Sequence, residues 1–238
     1  PGRRSKTTDV FSILQRIISY LRKVWKNTLI IVRGDGHFCS KELMAWAKEQ
    51  DNVHFLTGLT GNKSLHDLAR ITIDSAEKQY KSTGNPVKRY HSFDYAAGSW
   101  SGPQRVIVKV EVNEKGTNIR YVVTDLRCIR TKALYELGYC ARGKMELYIK
   151  ESKTYLESDR MSCNRFEANQ FRLFMHSAAY VLLHTFRSET LRATEYATAT
   201  MQTIQLRLIK IAAYVKEMKT RIKIEFPKHY PNMDVVAI

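Results

Sequence analysis

Asp35 comes just after the apolar run Leu29, Ile30, Ile31, Val32, and Glu146 lies in a helix-like stretch with Tyr139, Arg142 and Lys153. In an α-helix, residues seven apart return nearly to one direction, so Tyr139, Glu146 and Lys153 line up, and Arg142 stands one turn before Glu146. One face then carries an acid flanked by two cations and an aromatic ring. Metal-assisted phosphoryl chemistry needs such a set. Two Mg²⁺ ions can activate an attacking oxygen and stabilise a leaving one, and hard ions take carboxylate oxygens from two or three converging Asp or Glu residues. Arg142 suits a phosphate by its bidentate fork and Lys153 as a flexible point charge, while Tyr139 can stack on a base or hold a phosphate through its hydroxyl. His37, two residues after Asp35, is either a substrate contact or a loop histidine. Each acid also has a plain reading: Glu146 as a helix salt bridge with Arg142 or Lys150, and Asp35 as a loop or cap aspartate.

The elements that must position these groups follow from hydrophobic periodicity. Val10, Ile13, Leu14, Ile17, Ile18, Leu21 and Val24 recur at helical spacing and predict a helix over 9–24 feeding a strand over 28–33. Asp35 then falls just past the strand's C-terminal end, where open α/β sheets place their ligands. Ser40 caps a predicted helix to about residue 49. Leu43 stands where a capping-box acid would be, so the cap is simple. A strand over 53–57 completes a strand–helix–strand unit with a parallel pair. Residues 65–80 read as helix. The segments 88–95, 105–112 and 118–124 read as strands, with a turn at 113–116, forming a β-meander before the Glu146 helix. Helical patterns follow over 132–156 with a break at Gly138, over 166–186 and over 191–218. A short strand over 221–226 and an irregular tail end the chain.

The 238 residues can bury a sizeable core. Lys and Arg total 39 against 23 Asp and Glu, giving +16 and a pI near 9.7, the balance of a protein attracted to a polyanion. Cys39, Cys128, Cys140 and Cys163 form no CxxC pair and have no histidine at ligand spacing, which points to reduced thiols rather than zinc or disulfides. No apolar run of membrane-spanning length occurs, and the basic 1–6 stretch does not read as a signal peptide. The expected setting is the cytoplasm, nucleoid-associated, with no membrane partner.

The Tyr139, Arg142, Glu146, Lys153 arrangement, with two, three and six residues between, resembles the signature around the catalytic glutamate of DDE transposases of bacterial insertion sequences. The run Ile30, Ile31, Val32, Arg33, Gly34, Asp35, Gly36, His37, Phe38 resembles the second catalytic aspartate segment in the group called transposase DDE domain group 1. Gly58, Leu59 and Asn62 extend the likeness, as do Trp100, Arg105, Val106, Lys109, Thr124 and Leu126. Asn169, Arg172, Leu173, His176, Ala179 and Tyr180 carry it further, so that it runs from about residue 9 to beyond 230.

The resemblance implies an α/β fold: an RNase H-like core lacking its first strands, with a β-rich insertion and C-terminal helices. Residues 1–60 would be the N-terminal part of that core, 61–128 the insertion, and 129–238 the helical completion. Such enzymes hydrolyse a phosphodiester at transposon end DNA, and the exposed 3′ hydroxyl then attacks target DNA. Asp35 and Glu146 would be the second and third ligands of Mg²⁺, with Mn²⁺ as a substitute. Tyr139, Arg142, Lys153 and His37 would bind DNA. The partners implied are terminal inverted repeats and a second protomer in a homodimeric synapse. The family's first aspartate has no match here, so the resemblance implies truncation at the N-terminus, and Gly36 stands where many relatives have serine. A catalytically inactive DNA-binding remnant is therefore the rival reading. An unrelated protein whose acids are surface residues is the third.

Overall fold

The structure is a computed structural model and describes residues 7–236, so the basic 1–6 stretch lies outside the described residues. The chain divides into two compact units, Pro1–Gly143 and Lys144–Ile238.

In the first unit, α1 (Thr7–Val24) turns Ile18 into the core with Phe11 and Leu14 against it, whereas Ile13, Ile17 and Val24 of the predicted stripe are exposed. Phe11 meets Trp46 edge-on at 5.9 Å. Arg22 then fastens the chain after the helix: its guanidinium donates to the carbonyls of Trp25, Thr28, Asp51 and Asn52 at 2.6–3.1 Å. One cation thus ties the end of α1 and the loop before β1 to the residues that lead into β2. β1 (Ile30–Gly34), α2 (Lys41–Lys48) and β2 (Val53–Leu59) form the expected unit, with β1 and β2 parallel from Ile30↔Val53 to Gly34↔Thr57. Ser40 caps α2 by accepting from the Leu43 N–H at 3.1 Å.

α3 (Lys63–Thr83) starts at Asn62, whose side chain accepts from the Leu65 N–H, and stops at Gly84, where φ of 70° suits a residue without a Cβ. The meander β3 (Val87–Tyr95), β4 (Gln104–Asn113) and β5 (Gly116–Thr124) is antiparallel throughout. β5 pairs antiparallel with β2, Leu59 opposite Tyr121 and Leu56 opposite Thr124, giving one mixed sheet in the order β1-β2-β5-β4-β3. α3 covers one face, over Val106, Val108, Val110, Val112, Tyr121 and Val123. The opposite face buries Leu56, Ile107, Val122 and Leu126 beneath Leu134 and Tyr135. Coverage on both faces explains why 105–108 do not alternate polar with apolar, as a half-buried strand would.

Past β5, Arg105 fixes the linker. It is almost fully buried, donates to the carbonyls of Leu126, Arg127 and Ile129 at 2.8–3.2 Å, and reaches Thr131 Oγ1 at 3.0 Å. The helix expected over 132–156 changes its winding three times. α4 (Thr131–Ala133) runs into a π-helical turn over Leu134–Tyr139 and a 3₁₀ turn over Cys140–Arg142, before α5 (Gly143–Leu156). Gly138 lies inside the π turn, and a Cβ there would stand 3.0 Å from Leu56 Cδ2 and 3.2 Å from Leu134 Cδ1. Its bareness lets the turn press on β2.

In the second unit, α6 (Phe166–Thr185) matches its prediction, but the single helix expected over 191–218 is corrected. Threonines interrupt it: Thr194 caps a 3₁₀ turn over Glu195–Thr198, and Thr200 restarts the chain as α7 (Met201–Ile204). Their hydroxyls offer the backbone local acceptors in place of a continuing helix. A π turn over Gln205–Ile209 follows. β6 (Tyr214–Glu217) and β7 (Ile222–Glu225) then pair antiparallel, and α8 (Met233–Val236) occupies the tail expected to be irregular. The unit's core gathers Leu191, Tyr196 and Ile204, with the Tyr196 hydroxyl donating to Asn232 Oδ1 at 2.7 Å. Leu206, Ile209 and Val215 are exposed.

Candidate functional site

Asp35 closes β1 and opens a 3₁₀ turn over Gly36–Phe38. Its Oδ1 accepts from the His37 N–H at 2.9 Å and lies 3.3 Å from His37 Nδ1; Oδ2 has no partner among the described residues. The carboxylate is 44% exposed, open to a ligand from solvent. Two glycines allow the turn its shape. At Gly34 a Cβ would overlap the Phe38 ring. At Gly58, on neighbouring β2, it would stand 2.8 Å from the Tyr139 hydroxyl, 2.9 Å from the Gly36 nitrogen and 3.2 Å from the Asp35 carbonyl carbon. Gly58 is therefore the point at which β2, the Asp35 turn and Tyr139 close on one another.

Tyr139 and Arg142 arrive from the π and 3₁₀ turns. Arg33 of β1 donates to the Gly138 carbonyl at 2.7 Å, tying the strand before Asp35 directly to the turn that carries Tyr139. Tyr135 is packed between Tyr90 and Tyr139, ring centroids 5.5 and 5.6 Å away. Burial, followed by the fields of Cys140 and Tyr139, pushes its hydroxyl up to about 12. The Arg142 guanidinium lies over the Tyr139 ring at 5.5 Å, a cation–π contact that holds it at the mouth of the site. Asp35, Thr60, Asn118, Arg120, Tyr139 and Arg142 all line one cleft of about 450 Å³.

The structure thus brings Asp35, His37, Tyr139 and Arg142 together in the first unit. Glu146 and Lys153 belong to the second, in the first and last turns of α5 and both exposed. The expectation of one regular helix face through 139–153 is corrected. Tyr139 and Arg142 precede the α-helical part, and only Glu146 and Lys153 keep the seven-residue alignment. Elsewhere on α5, Glu151 is buried, with Oε1 3.0 Å and Oε2 3.4 Å from the two terminal nitrogens of Arg187, which also donates to the Ala199 carbonyl.

Other acids are occupied structurally. Asp125 accepts from the Phe55 N–H at 3.0 Å and sits 2.9 Å from His54 Nδ1, near the start of β2 rather than its Asp35 end; Asp94 pairs with Arg127 at 2.6 Å. Among the described residues no group of three or more His, Cys, Asp or Glu could hold a metal ion. Asp35 nevertheless fits Mg²⁺ as a single hard-oxygen donor, because that ion keeps several waters and is commonly bound by one or two carboxylates plus substrate phosphates.

The model of the transposase DDE domain group 1 family matches residues 1–238. The chain belongs to that family. Membership implies a role in DNA transposition and binding to DNA, and DDE transposases generally use divalent metals. Comparison with curated proteins and with solved structures returns no match. No helix among the described residues of this transposase-family chain is long and apolar enough to cross a membrane. Sequence reasoning missed Thr60, Asn118 and Arg120 as lining residues of the cleft. For Asn118 and Arg120 the one signal was the period-two alternation of β5, which sets them opposite in direction to the buried Tyr121.

Proposed function

We propose that this chain carries out metal-dependent phosphodiester hydrolysis and DNA strand transfer at insertion-sequence ends, with Asp35 and Glu146 as the carboxylates that hold Mg²⁺ or Mn²⁺. The supporting observation is the cleft in which the half-exposed Asp35 carboxylate shares walls with Tyr139 and Arg142. When bound, divalent ions supply charge stabilisation at the attacking and leaving oxygens. The protein's own groups do the rest. Arg142, steadied on the Tyr139 ring, grips a non-bridging phosphate oxygen through its fork. The Tyr139 hydroxyl donates beside it, His37 steadies Asp35 and the adjoining phosphate, and Lys153 binds the backbone farther along α5. An in-line hydroxyl or water then meets a phosphorus whose charge is already countered.

This reading takes the sheet as an RNase H-like core over 1–60, extended by 61–128 and completed by 129–238. β1 is an edge strand of that sheet, with Ile31 exposed. Two protomers bring two inverted-repeat ends together on nucleoid DNA inside the cell. A second reading, a DNA-binding remnant without catalysis, is favoured by the Asp35 carboxylate serving as the cap of its own turn, where it accepts from the His37 N–H at 2.9 Å.

Nicking of a terminal-repeat duplex with Mg²⁺ separates the two. The enzyme reading expects EDTA-sensitive nicking that Asp35→Asn and Glu146→Gln each abolish while DNA binding persists. Binding with no nicking in either Mg²⁺ or Mn²⁺ supports the remnant.

A further inference from the structure

Arg120 is exposed on β5 and has no carboxylate partner among the described residues. The β-ladder extends its surroundings outward from the cleft: Arg120 stands opposite Lys109, and Lys109 opposite Tyr90. In the next row Asn118 faces Glu111, which faces Lys88. Side chains two residues apart on a strand share a face, so Arg120, Asn118, Lys109, Glu111, Tyr90 and Lys88 all look the same way, opposite to α3. Glu111 is gripped by Lys109 and lies 3.4 Å from Lys88, and Glu136 accepts from the Tyr90 hydroxyl at 2.8 Å, so Arg120, Lys109 and Lys88 stand against two carboxylates and the face remains cationic. The Lys109 hydrogen bond holds the Glu111 carboxyl below the usual carboxylate range, keeping the clamp charged. Lys109 is mostly covered, whereas Lys88 is 56% exposed.

We infer that the outer part of this face of β3, β4 and β5, beyond the residues that Leu134 and Tyr135 cover, is a phosphate track that receives one DNA strand as it leaves the Asp35 cleft, with Arg120 and Lys88 as the contacting cations. Lys109 neutralises the intervening Glu111. This rests on the DNA-processing reading above and assigns part of its substrate surface to residues outside the Asp35 and Glu146 signature. The spacing suits the ligand. Two strand separations and one two-residue step set the Arg120 and Lys88 backbones about 12 Å apart. At about 3.4 Å of helix axis per phosphate on each strand, that spans roughly three to four phosphates. Both contacts are made by charge alone, so the track reads no sequence.

The test measures duplex affinity by fluorescence anisotropy from 50 to 300 mM salt, on a terminal-repeat duplex and an unrelated one. Arg120→Gln with Lys88→Gln is expected to flatten the log affinity against log salt slope by about two, near 0.9 per lost phosphate contact, equally for both duplexes. Glu111→Gln is expected to tighten binding and steepen the slope, because it frees Lys88. A purely structural clamp predicts no gain from that change. An unchanged slope in the double variant, with the parent protein binding normally and thermal melts alike, overturns the track and leaves the metal-site reading intact. A flattened slope in a protein that never nicks DNA upholds the track and removes the enzymatic reading. A parent with no salt-dependent duplex binding overturns both.

Discussion

Gly58→Ala tests whether the Asp35 turn, β2 and the Tyr139 turn are held at one point. The added methyl would lie 2.8 Å from the Tyr139 hydroxyl oxygen and 2.9 Å from the Gly36 nitrogen. Ordinary carbon contacts begin near 3.5 Å, so each gap is short by about 0.6 Å. The hydroxyl can swing away, but the Gly36 nitrogen is backbone, and the Asp35 carbonyl carbon beside it is only 3.2 Å away. The turn must therefore shift with its carboxylate. Overpacking of this kind costs about 1–3 kcal/mol. For a chain of this size that lowers the melting temperature by roughly 3–9 °C. Misplacing a catalytic group by about 1 Å can cost on the order of a hundredfold in rate. The assay pairs a circular-dichroism melt with Mg²⁺-dependent nicking. Gly58→Ala is expected to lose far more activity than its stability loss explains, and adding Tyr139→Phe is not expected to restore it, since the Gly36 contact stays. Full stability and activity in Gly58→Ala would refute the close approach; full rescue by Tyr139→Phe would place the strain on the hydroxyl alone.

Arg105→Met leaves the carbonyls of Leu126, Arg127 and Ile129 without their donor, and is expected to cost about 2–5 kcal/mol in a urea denaturation series. Arg105→Lys recovers little of it, because an ammonium cannot reproduce the fork. In the second unit, Arg187→Ala strands the buried Glu151 carboxylate and is expected to cost about 3–5 kcal/mol, whereas Arg187→Met with Glu151→Leu restores most of the stability in the same series. Tyr135 should ionise late in an alkaline titration followed by tyrosinate absorbance. Its folded value of about 12 exceeds the usual tyrosine value near 10, so its contribution to stability is complete below about pH 10 and disappears as pH rises through 12. Early, complete titration of every tyrosine at pH 10 in the folded protein would contradict that environment.

Much of the first unit was legible because local chemistry and periodicity agree there. Ser40 and Asn62 cap the helices they precede, Gly84 ends α3, and the apolar periods switch from helical to alternating where β3 begins. The placement of Asp35 just past a strand end was legible from the apolar run before it. What sequence could not give was pairing between distant segments. The meander looked like a separate β insertion, because nothing local to residues 116–124 shows that they lie against β2, yet that pairing sets Arg120 and Asn118 beside Asp35. The winding of 131–142 was equally hidden: its residues suit a plain α-helix, and the π turn follows from Gly138 pressing on Leu56 and from the Arg33 bond to its carbonyl. In the second unit the sequence misled over 191–218, where helical spacing of apolar residues competes with threonines that cap and restart the chain.

The π turn gives these observations a common mechanical sense. A π-helical turn inserts an extra residue into a helix and is frequent at functional sites because it redirects the side chains that follow. Here it stands between Arg105, which fixes its entry, and Arg33, which fixes the Gly138 carbonyl near its end. Tyr139 and Arg142 therefore follow a turn that the sheet holds at Gly138, and the cation–π contact between them lies within the first unit. Loss of the Arg33 bond should consequently act on phosphate binding before it acts on folding. Arg33 is exposed and makes one neutral-acceptor hydrogen bond, so Arg33→Met is expected to change stability by only about 1 kcal/mol. The same change should weaken duplex binding and nicking together with Arg142→Gln, non-additively, because both act through one guanidinium position. Additive losses in that double-variant cycle would show that Arg33 contacts DNA on its own account and that the turn is held without it.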